Sequence, residues 1–105
     1  MPDPRFHLHP AAAQDITEIW QFIATDNPTA AAHFREEILE AIRKLVEFPR
    51  QGHKRPDLTS RPLRFQTIRD YLIVYASDEK PPVVIAVIHG RRNPRIIAAT
   101  LRDRK

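Results

Sequence analysis

The sequence predicts an α+β fold, in the order β-α-α-β-β-β with a short C-terminal helix, in which an antiparallel sheet packs against a helical hairpin. Three observations predict it. Two amphipathic segments are separated by a short Asp-Asn-Pro turn, and three strand-like runs joined by short turns follow them. Both helical stripes need an apolar surface to cover, and the sheet offers one. We expect residues 1–105 to form a single domain, because the chain has the length of one and contains no repeat.

The N-terminal half contains the patterns of one short strand and two helices. Residues 5–9 alternate apolar and polar side chains, as a half-buried strand does. A helix is predicted over residues 10–25, with an apolar stripe made of Ile16, Ile19, Trp20 and Ile23. Asn27 can cap a second helix over residues 28–48, with Pro28 at its first position. A tight turn between two such helices predicts an antiparallel hairpin.

Three strands are predicted in the C-terminal half, at Leu63–Ile68, Tyr71–Ala76 and Val83–His89. The turns between them are short, so we expect an antiparallel meander. The third strand is apolar on both faces, which predicts a central position in the sheet. Asn93 can cap a final, short and basic helix.

The composition excludes several classes of site. The chain has no cysteine, which excludes disulfides, thiolate zinc sites and a cysteine nucleophile, and it has too few glycines for a glycine-rich phosphate loop. No apolar run has the length of a membrane span, and the N-terminus is too polar for a secretory signal. We therefore expect a cytoplasmic protein without a membrane partner and without a cofactor.

Two of the five histidines are spaced as metal ligands can be. His7 and His9 are two positions apart on the predicted first strand and would point to the same face, as half of a metal site would. The other histidines, His33, His53 and His89, show no spacing that supplies a third ligand. No metal site is predicted, and the pair is interpreted as surface histidines on an edge strand.

Charge is distributed unequally along the chain. Residues 1–49 carry four basic and eight acidic side chains, for a net charge of −4, whereas residues 50–105 carry thirteen basic and five acidic ones, for +8. Such an asymmetry favours a polyanionic partner, either nucleic acid or an acidic protein.

The segment VIAVIHGRRNPRII, residues 84–97, allows two interpretations. His89 could be the general acid or base of a metal-free ribonuclease, with Arg91 or Arg92 stabilising the charge that develops on phosphate. Alternatively, the strand simply ends at a basic binding surface, and His89 lies at the edge of the core. On the predicted strand, His89 shares its face with Val83, Ile85 and Val87. A lone histidine is a weak signal of catalysis, so the binding surface is favoured.

At the level of whole segments, the chain resembles the RelE/ParE superfamily of toxins from type II toxin–antitoxin modules, and most closely its ParE branch. The matching segments are residues 16–31, 45–58, 68–79 and 84–97, in the order and spacing of that family. The most specific features are the helix–DNP–helix join and the strand that ends in HGRR. The resemblance covers nearly the whole chain and implies a RelE/ParE-like fold.

This resemblance implies the toxin of a plasmid-stabilisation module, bound as a hetero-oligomer by a cognate antitoxin with an acidic, partly disordered segment. ParE-type toxins are associated with growth arrest through DNA gyrase, and RelE-type relatives cleave mRNA on the ribosome. Where RelE-type enzymes carry an arginine and a tyrosine, this chain has Leu72 and about Ala98, although Arg92 matches a family arginine. These departures favour a ParE-like gyrase inhibitor that acts by binding rather than catalysis.

Two alternatives remain open at this stage. One is a RelE-like, ribosome-dependent mRNA endoribonuclease that uses His89, Arg91 and Arg92. The other is a non-toxic family member that acts only as a binding partner.

The candidate partner-binding residues are one aromatic side chain and a set of basic ones. Phe22 is rotated by about 200° from Trp20 on an ideal helix, so it would face outward if Trp20 faced the sheet. The basic residues lie in the C-terminal segment: Arg91, Arg92, Arg95, Arg102 and Arg104.

Overall fold

The computed structural model describes residues 5–105. The elements in chain order are β1 (His7–Leu8), α1 (Pro10–Asp26), α2 (Pro28–Glu47), β2 (Leu63–Ile68), β3 (Tyr71–Ala76), β4 (Val83–His89) and α3 (Pro94–Asp103). This order confirms the predicted α+β fold, including the limits of the last three strands. None of the helices in this part of the chain is long and apolar enough to cross a membrane.

The hairpin of α1 and α2 turns at a single residue. The Asn27 backbone N–H donates to the Ile23 carbonyl and closes α1. The Asn27 side-chain oxygen accepts from the Ala30 N–H at 3.0 Å and opens α2, with Pro28 at the first helical position. Because one residue ends the first helix and caps the second, the two helices reverse direction at that point, as predicted.

The four strands form one sheet in the order β1-β4-β3-β2. Strands β2, β3 and β4 form the predicted antiparallel meander, and β4 is central. Strand β1 pairs with β4 in parallel, through His7 opposite Val83 and Leu8 opposite Val84. The predicted strand over residues 5–9 is too long, since the His9 Nδ1 accepts a hydrogen bond from the Ala11 N–H at 3.0 Å and caps α1. His9 is therefore a helix cap and not a surface strand residue paired with His7.

A β-bulge in β4 changes which residues share a face. Val74 pairs with Ala86 and the next residue, Tyr75, pairs with Val84, so Ile85 has no partner on β3. Val87 packs on the hairpin side, whereas Ile85 packs on the α3 side. His89 packs against Tyr71 on the hairpin side, so the predicted shared face is correct for Val87 and wrong for Val83 and Ile85, because the extra residue breaks the two-residue alternation.

Apolar side chains are buried on both faces of the sheet. The hairpin face holds one cluster, which includes Ile16, Phe34, Ile38, Ile42, Ile73 and Val87. On the opposite face, Ile97 and Leu101 of α3 pack with Leu58 of the connector over β2, β3 and β4. Helix α3 thus adds to the predicted two layers, and this second cover explains why β4 is apolar on both faces.

The apolar stripe of α1 differs from the predicted one at one position. Ala12 and Ile16 are buried, Ile19 and Ile23 pack partly against the cluster, and Trp20 is 38% exposed and lies outside both clusters. The buried face of α1 is therefore narrower than predicted. Trp20 directly follows Ile19, so its side chain is rotated by about 100° around the helix from that of Ile19.

Candidate partner-binding groove

A groove of about 240 Å³ opens where β4 ends, between α1 and α3. We call it the partner groove. Helix α1 contributes Asp15, Glu18, Ile19 and Phe22; the strands contribute Tyr71, Val87, Ile88 and His89; and the C-terminal segment contributes Arg92, Thr100 and Arg104. The groove is thus assembled from three parts of the chain that are far apart in sequence.

The α1 wall of the partner groove carries an exposed aromatic ring. Phe22 is 75% exposed, and Ile19, one turn earlier, is half-buried against the hairpin cluster. Positions three apart on a helix are neighbours on its surface, so these two side chains form a continuous apolar strip. A ring this exposed beside a concave surface is typical of a site that a partner covers.

The strand side of the partner groove is held by stacked rings. Phe34 of α2 packs against Tyr71 at a centroid separation of 5.1 Å, and Tyr71 packs edge-on against His89 at the same separation. The His89 Nδ1 accepts a hydrogen bond from the Arg91 N–H at 3.1 Å. This contact requires the neutral ring to carry its proton on Nε2. His89 is therefore a half-buried residue at the edge of the core, with its ring orientation set by two contacts.

Two opposite charges close the end of the partner groove near the core. The Arg104 guanidinium donates to the Asp15 carboxylate at 2.6 and 2.9 Å, and both side chains are largely buried. The hydrogen bond to Asp15 is the main reason why the pKa of Arg104 is raised above its usual value. This pair is neutral as a unit, so the Arg104 charge is not free for a partner.

The structure brings some of the predicted site residues together and leaves others apart. Phe22, His89, Arg92 and Arg104 line the partner groove. Three further predicted arginines lie exposed outside it: Arg91 in the turn after β4, Arg95 at the start of α3 and Arg102 near its end.

Positive charge is concentrated where α3 begins. The first turn of α3 contains no acidic residue, and within residues 5–105 none of Arg91, Arg92 and Arg95 forms an ion pair. The helix dipole already places partial positive charge at this end, so three arginines there are locally unfavourable. An anionic group from outside would relieve that repulsion.

Several residues of the partner groove were not predicted from the sequence, among them Asp15, Glu18 and Tyr71. The sequence contains a signal for Asp15. This residue lies three positions after Ala12 and four before Ile19, and these spacings place it beside the apolar stripe of α1. A carboxylate beside a buried stripe requires a partner, and Arg104 supplies it across the fold. Tyr71 offered no such signal, because its place in the groove depends on how α1 crosses the sheet.

No metal centre is formed in the part of the chain that the structure describes, where no three histidine, aspartate or glutamate side chains are grouped to hold an ion. The partner groove offers carboxylates, arginines and one imidazole, which suit hydrogen bonding and ion pairing with a macromolecule.

The fold and the groove define a small basic protein with a RelE/ParE-like α+β architecture. Residues 6–94 match the family described as the ParE toxin of the type II toxin–antitoxin system parDE, and the chain belongs to this family. A solved structure described as the chromosomal ParDE toxin–antitoxin system from P. aeruginosa has a TM-score of 0.67 and 19% identity, with 80% of this chain and 92% of that chain covered. This likeness concerns the fold. A comparison with curated proteins found no match.

Proposed function

We propose that this ParE-family toxin is neutralised by a cognate antitoxin whose acidic segment covers the partner groove, and that the free toxin arrests growth by binding DNA gyrase. The observation that carries the proposal is that an exposed Phe22 and the cationic Arg92 line one and the same groove. The proposal places the toxin in the cytoplasm, in a hetero-oligomer with its antitoxin, as part of a plasmid-stabilisation module.

Phe22 supplies the main apolar contact for the antitoxin segment. Burying a phenylalanine ring that is 75% exposed in the free protein would contribute about 1–2 kcal/mol to binding. Such an anchor is typical of residues that dominate the energy of a protein interface. An antitoxin side chain that packs on Phe22 and Ile19 would cover the apolar strip.

The charged contacts for the antitoxin segment come from Arg91, Arg92 and Arg95. An acidic segment would neutralise arginines that have no acidic partner within residues 5–105. The net charge of +8 on residues 50–105 would also accelerate association with an acidic chain, most strongly at low salt. A segment that folds as it binds would need both kinds of contact to offset its ordering entropy.

The proposal of a binding toxin, rather than a nuclease, is supported by two packing residues. Leu72 is half-buried against the α3-side cluster, and Ala98 is a half-buried residue of α3. These stand where the RelE-type enzymes that the chain resembles carry an arginine and a tyrosine. Neither side chain can stabilise phosphate charge or transfer a proton.

A second candidate function is ribosome-dependent cleavage of mRNA with His89, Arg91 and Arg92. One observation favours it: Glu18, His89 and Arg92 all line the same groove, so an acid, an imidazole and a guanidinium face one volume. In that mechanism His89 would transfer a proton and an arginine would stabilise the phosphorane.

The test uses purified toxin in a gyrase supercoiling assay, together with growth measurements in cells. We expect inhibition of supercoiling at micromolar toxin, and relief when the product of the adjacent antitoxin gene is added. The variant His89→Gln keeps a polar side chain at the groove and should retain both folding and growth arrest. Intact supercoiling, mRNA cleavage on ribosomes and loss of toxicity in His89→Gln would together support the nuclease instead. An absence of any growth defect would identify a non-toxic binding partner.

A further inference from the structure

A second and larger groove, of about 990 Å³, lies at the opposite end of the sheet. It runs between the end of α2, the connector after it, the start of β2 and the turn between β3 and β4. It shares no lining residue with the partner groove. Strands of six residues span about 20 Å, so the two grooves are separated by roughly that distance.

The apolar part of this second groove contains Phe48, Pro49 and Pro62. Phe48 is 61% exposed, although it follows directly on a helix whose apolar face is buried. The two prolines have fixed backbone φ angles and lose little entropy when a ligand packs against them. Phe48 and Pro62 are exposed and Pro49 is half-buried, so the three side chains leave part of an apolar surface uncovered within residues 5–105.

The backbone beneath this surface is held rigidly by one buried side chain. The Tyr75 hydroxyl donates to the Pro49 carbonyl at 2.7 Å and accepts from the Gly52 N–H at 2.9 Å. Arg64 adds a hydrogen bond from its Nη1 to the Gly52 carbonyl at 2.9 Å. The connector is therefore preformed, and binding there would require little rearrangement.

The charged part of the second groove is predominantly basic. Arg50, Lys54, Arg64 and Lys80 line it, against two acidic side chains. In the part of the chain that the structure describes, none of these four cations forms an ion pair. An apolar floor beside unpaired positive charge matches a ligand with one bulky apolar group flanked by carboxylates.

We propose that the second groove docks an acidic peptide segment that carries one large apolar side chain. The apolar side chain packs on Phe48, and the flanking carboxylates pair with Arg50, Lys54 and Lys80. A peptide fits better than a nucleic acid, because the few carboxylates of a peptide can be spaced to avoid Glu47 and Asp78, which also line the groove, whereas a nucleic acid carries one negative charge per nucleotide. The proposal is independent of the function proposed for the partner groove.

The test measures fluorescence anisotropy of a labelled acidic peptide of about ten residues with a central leucine, added to the full-length protein. Two further probes are the same peptide with glycine in place of leucine and a single-stranded oligonucleotide of similar charge. We expect Phe48→Ala to weaken binding of the leucine peptide by about fivefold or more and to leave binding of the glycine peptide unchanged. We expect Lys54→Glu to weaken binding of both peptides by a similar factor.

Matched controls separate this groove from general basic charge. The variant Arg35→Glu makes the same charge change on an exposed position of α2 outside both grooves and should alter affinity less than about twofold. Amide resonances of Gln51 and Lys54 should shift on titration with the leucine peptide; Phe48→Ala should remove these shifts, whereas Phe22→Ser, a change in the partner groove, should leave them unchanged. Three results would each overturn the proposal. They are an affinity for the leucine peptide that Phe48→Ala and Lys54→Glu leave unchanged, resonance shifts confined to His89, and tighter binding of the oligonucleotide than of the peptide.

Discussion

Arg104 and Asp15 are 89 positions apart in sequence, and the Arg104 guanidinium donates two hydrogen bonds to the Asp15 carboxylate. The Asp15 Oδ2 also accepts from the Val87 N–H at 2.9 Å, and the Arg104 Nη1 also donates to the Ile85 carbonyl at 3.2 Å. Strand β1 pairs with β4 only as far as Val84. The ion pair therefore forms hydrogen bonds with backbone groups of β4 beyond the point where β1 ends.

The first prediction concerns this pair. The variant Asp15→Ala removes the acceptor of both Arg104 and the Val87 N–H and leaves a largely buried cation. We expect a loss of roughly 2–4 kcal/mol in the free energy of unfolding, somewhat below the loss for a fully buried pair. Urea denaturation monitored by circular dichroism measures it.

The matched control for Asp15→Ala is Asp57→Ala. Asp57 also binds an arginine through two hydrogen bonds, to Arg55, but both partners are exposed. Solvent screens that pair, so its loss should lower the free energy of unfolding much less than the loss of Asp15 does. Equal stability losses in the two variants would contradict the role given to burial at Asp15.

The second prediction concerns glycine at position 52. A Cβ atom at Gly52 would lie 2.7 Å from the Tyr75 hydroxyl and 3.0 Å from the Phe65 carbonyl oxygen. Neither neighbour can move freely, because Tyr75 is buried and Phe65 belongs to β2. We expect Gly52→Ala to lower the free energy of unfolding by about 1–3 kcal/mol.

Gly90→Ala is the control for this steric argument. A Cβ atom there would meet the Asp70 carbonyl oxygen only at 3.3 Å. Thermal and urea denaturation should show a smaller loss for Gly90→Ala than for Gly52→Ala. The reverse order would show that close approach to Tyr75 is not the limiting constraint.

The third prediction concerns pH and Tyr75. Burial is the main cause that raises the pKa of Tyr75 above its ordinary value of 10.0. The folded state then keeps the hydroxyl protonated at pH values where the unfolded state loses its proton. This contribution to stability is fully present below about pH 10 and is lost as the pH rises through the folded-state pKa.

Tyr75→Phe tests this linkage. At neutral pH the variant should be less stable by roughly 1–3 kcal/mol, because the Pro49 carbonyl and the Gly52 N–H lose their common partner. The difference in the free energy of unfolding between the variant and the parent protein should shrink as the pH is raised above about 10, since the variant has no hydroxyl to ionise. Denaturation at several alkaline pH values checks it, and a difference that stays constant would exclude linkage through Tyr75.

The fourth prediction concerns Phe22. Phe22→Ser should leave thermal stability nearly unchanged, because the ring is mostly exposed. It should weaken binding of the cognate antitoxin by about tenfold or more, as loss of an interface anchor does. Isothermal titration calorimetry measures this, with Ile96→Ser, a change at an exposed apolar residue of α3 that lines neither groove, as the control. Equal losses in the two variants would remove Phe22 from the antitoxin site.

Local signals in the sequence determined the elements. Asn27 and Pro28 mark the join of the two helices, and the apolar runs mark three strands at their observed limits. Caps and periodicity act within a few residues, so they are visible without a fold. The basic C-terminal segment and the match to a toxin family are likewise visible in the sequence without a fold.

Only the tertiary structure decided how distant residues meet. The parallel pairing of β1, the unpaired Ile85 and the bond between Asp15 and Arg104 depend on how α1 crosses β4 and where α3 ends. The two grooves follow from that arrangement, because each is lined by elements that only packing brings together. Sequence patterns report the environment along one element, whereas a binding surface is set by the geometry between elements.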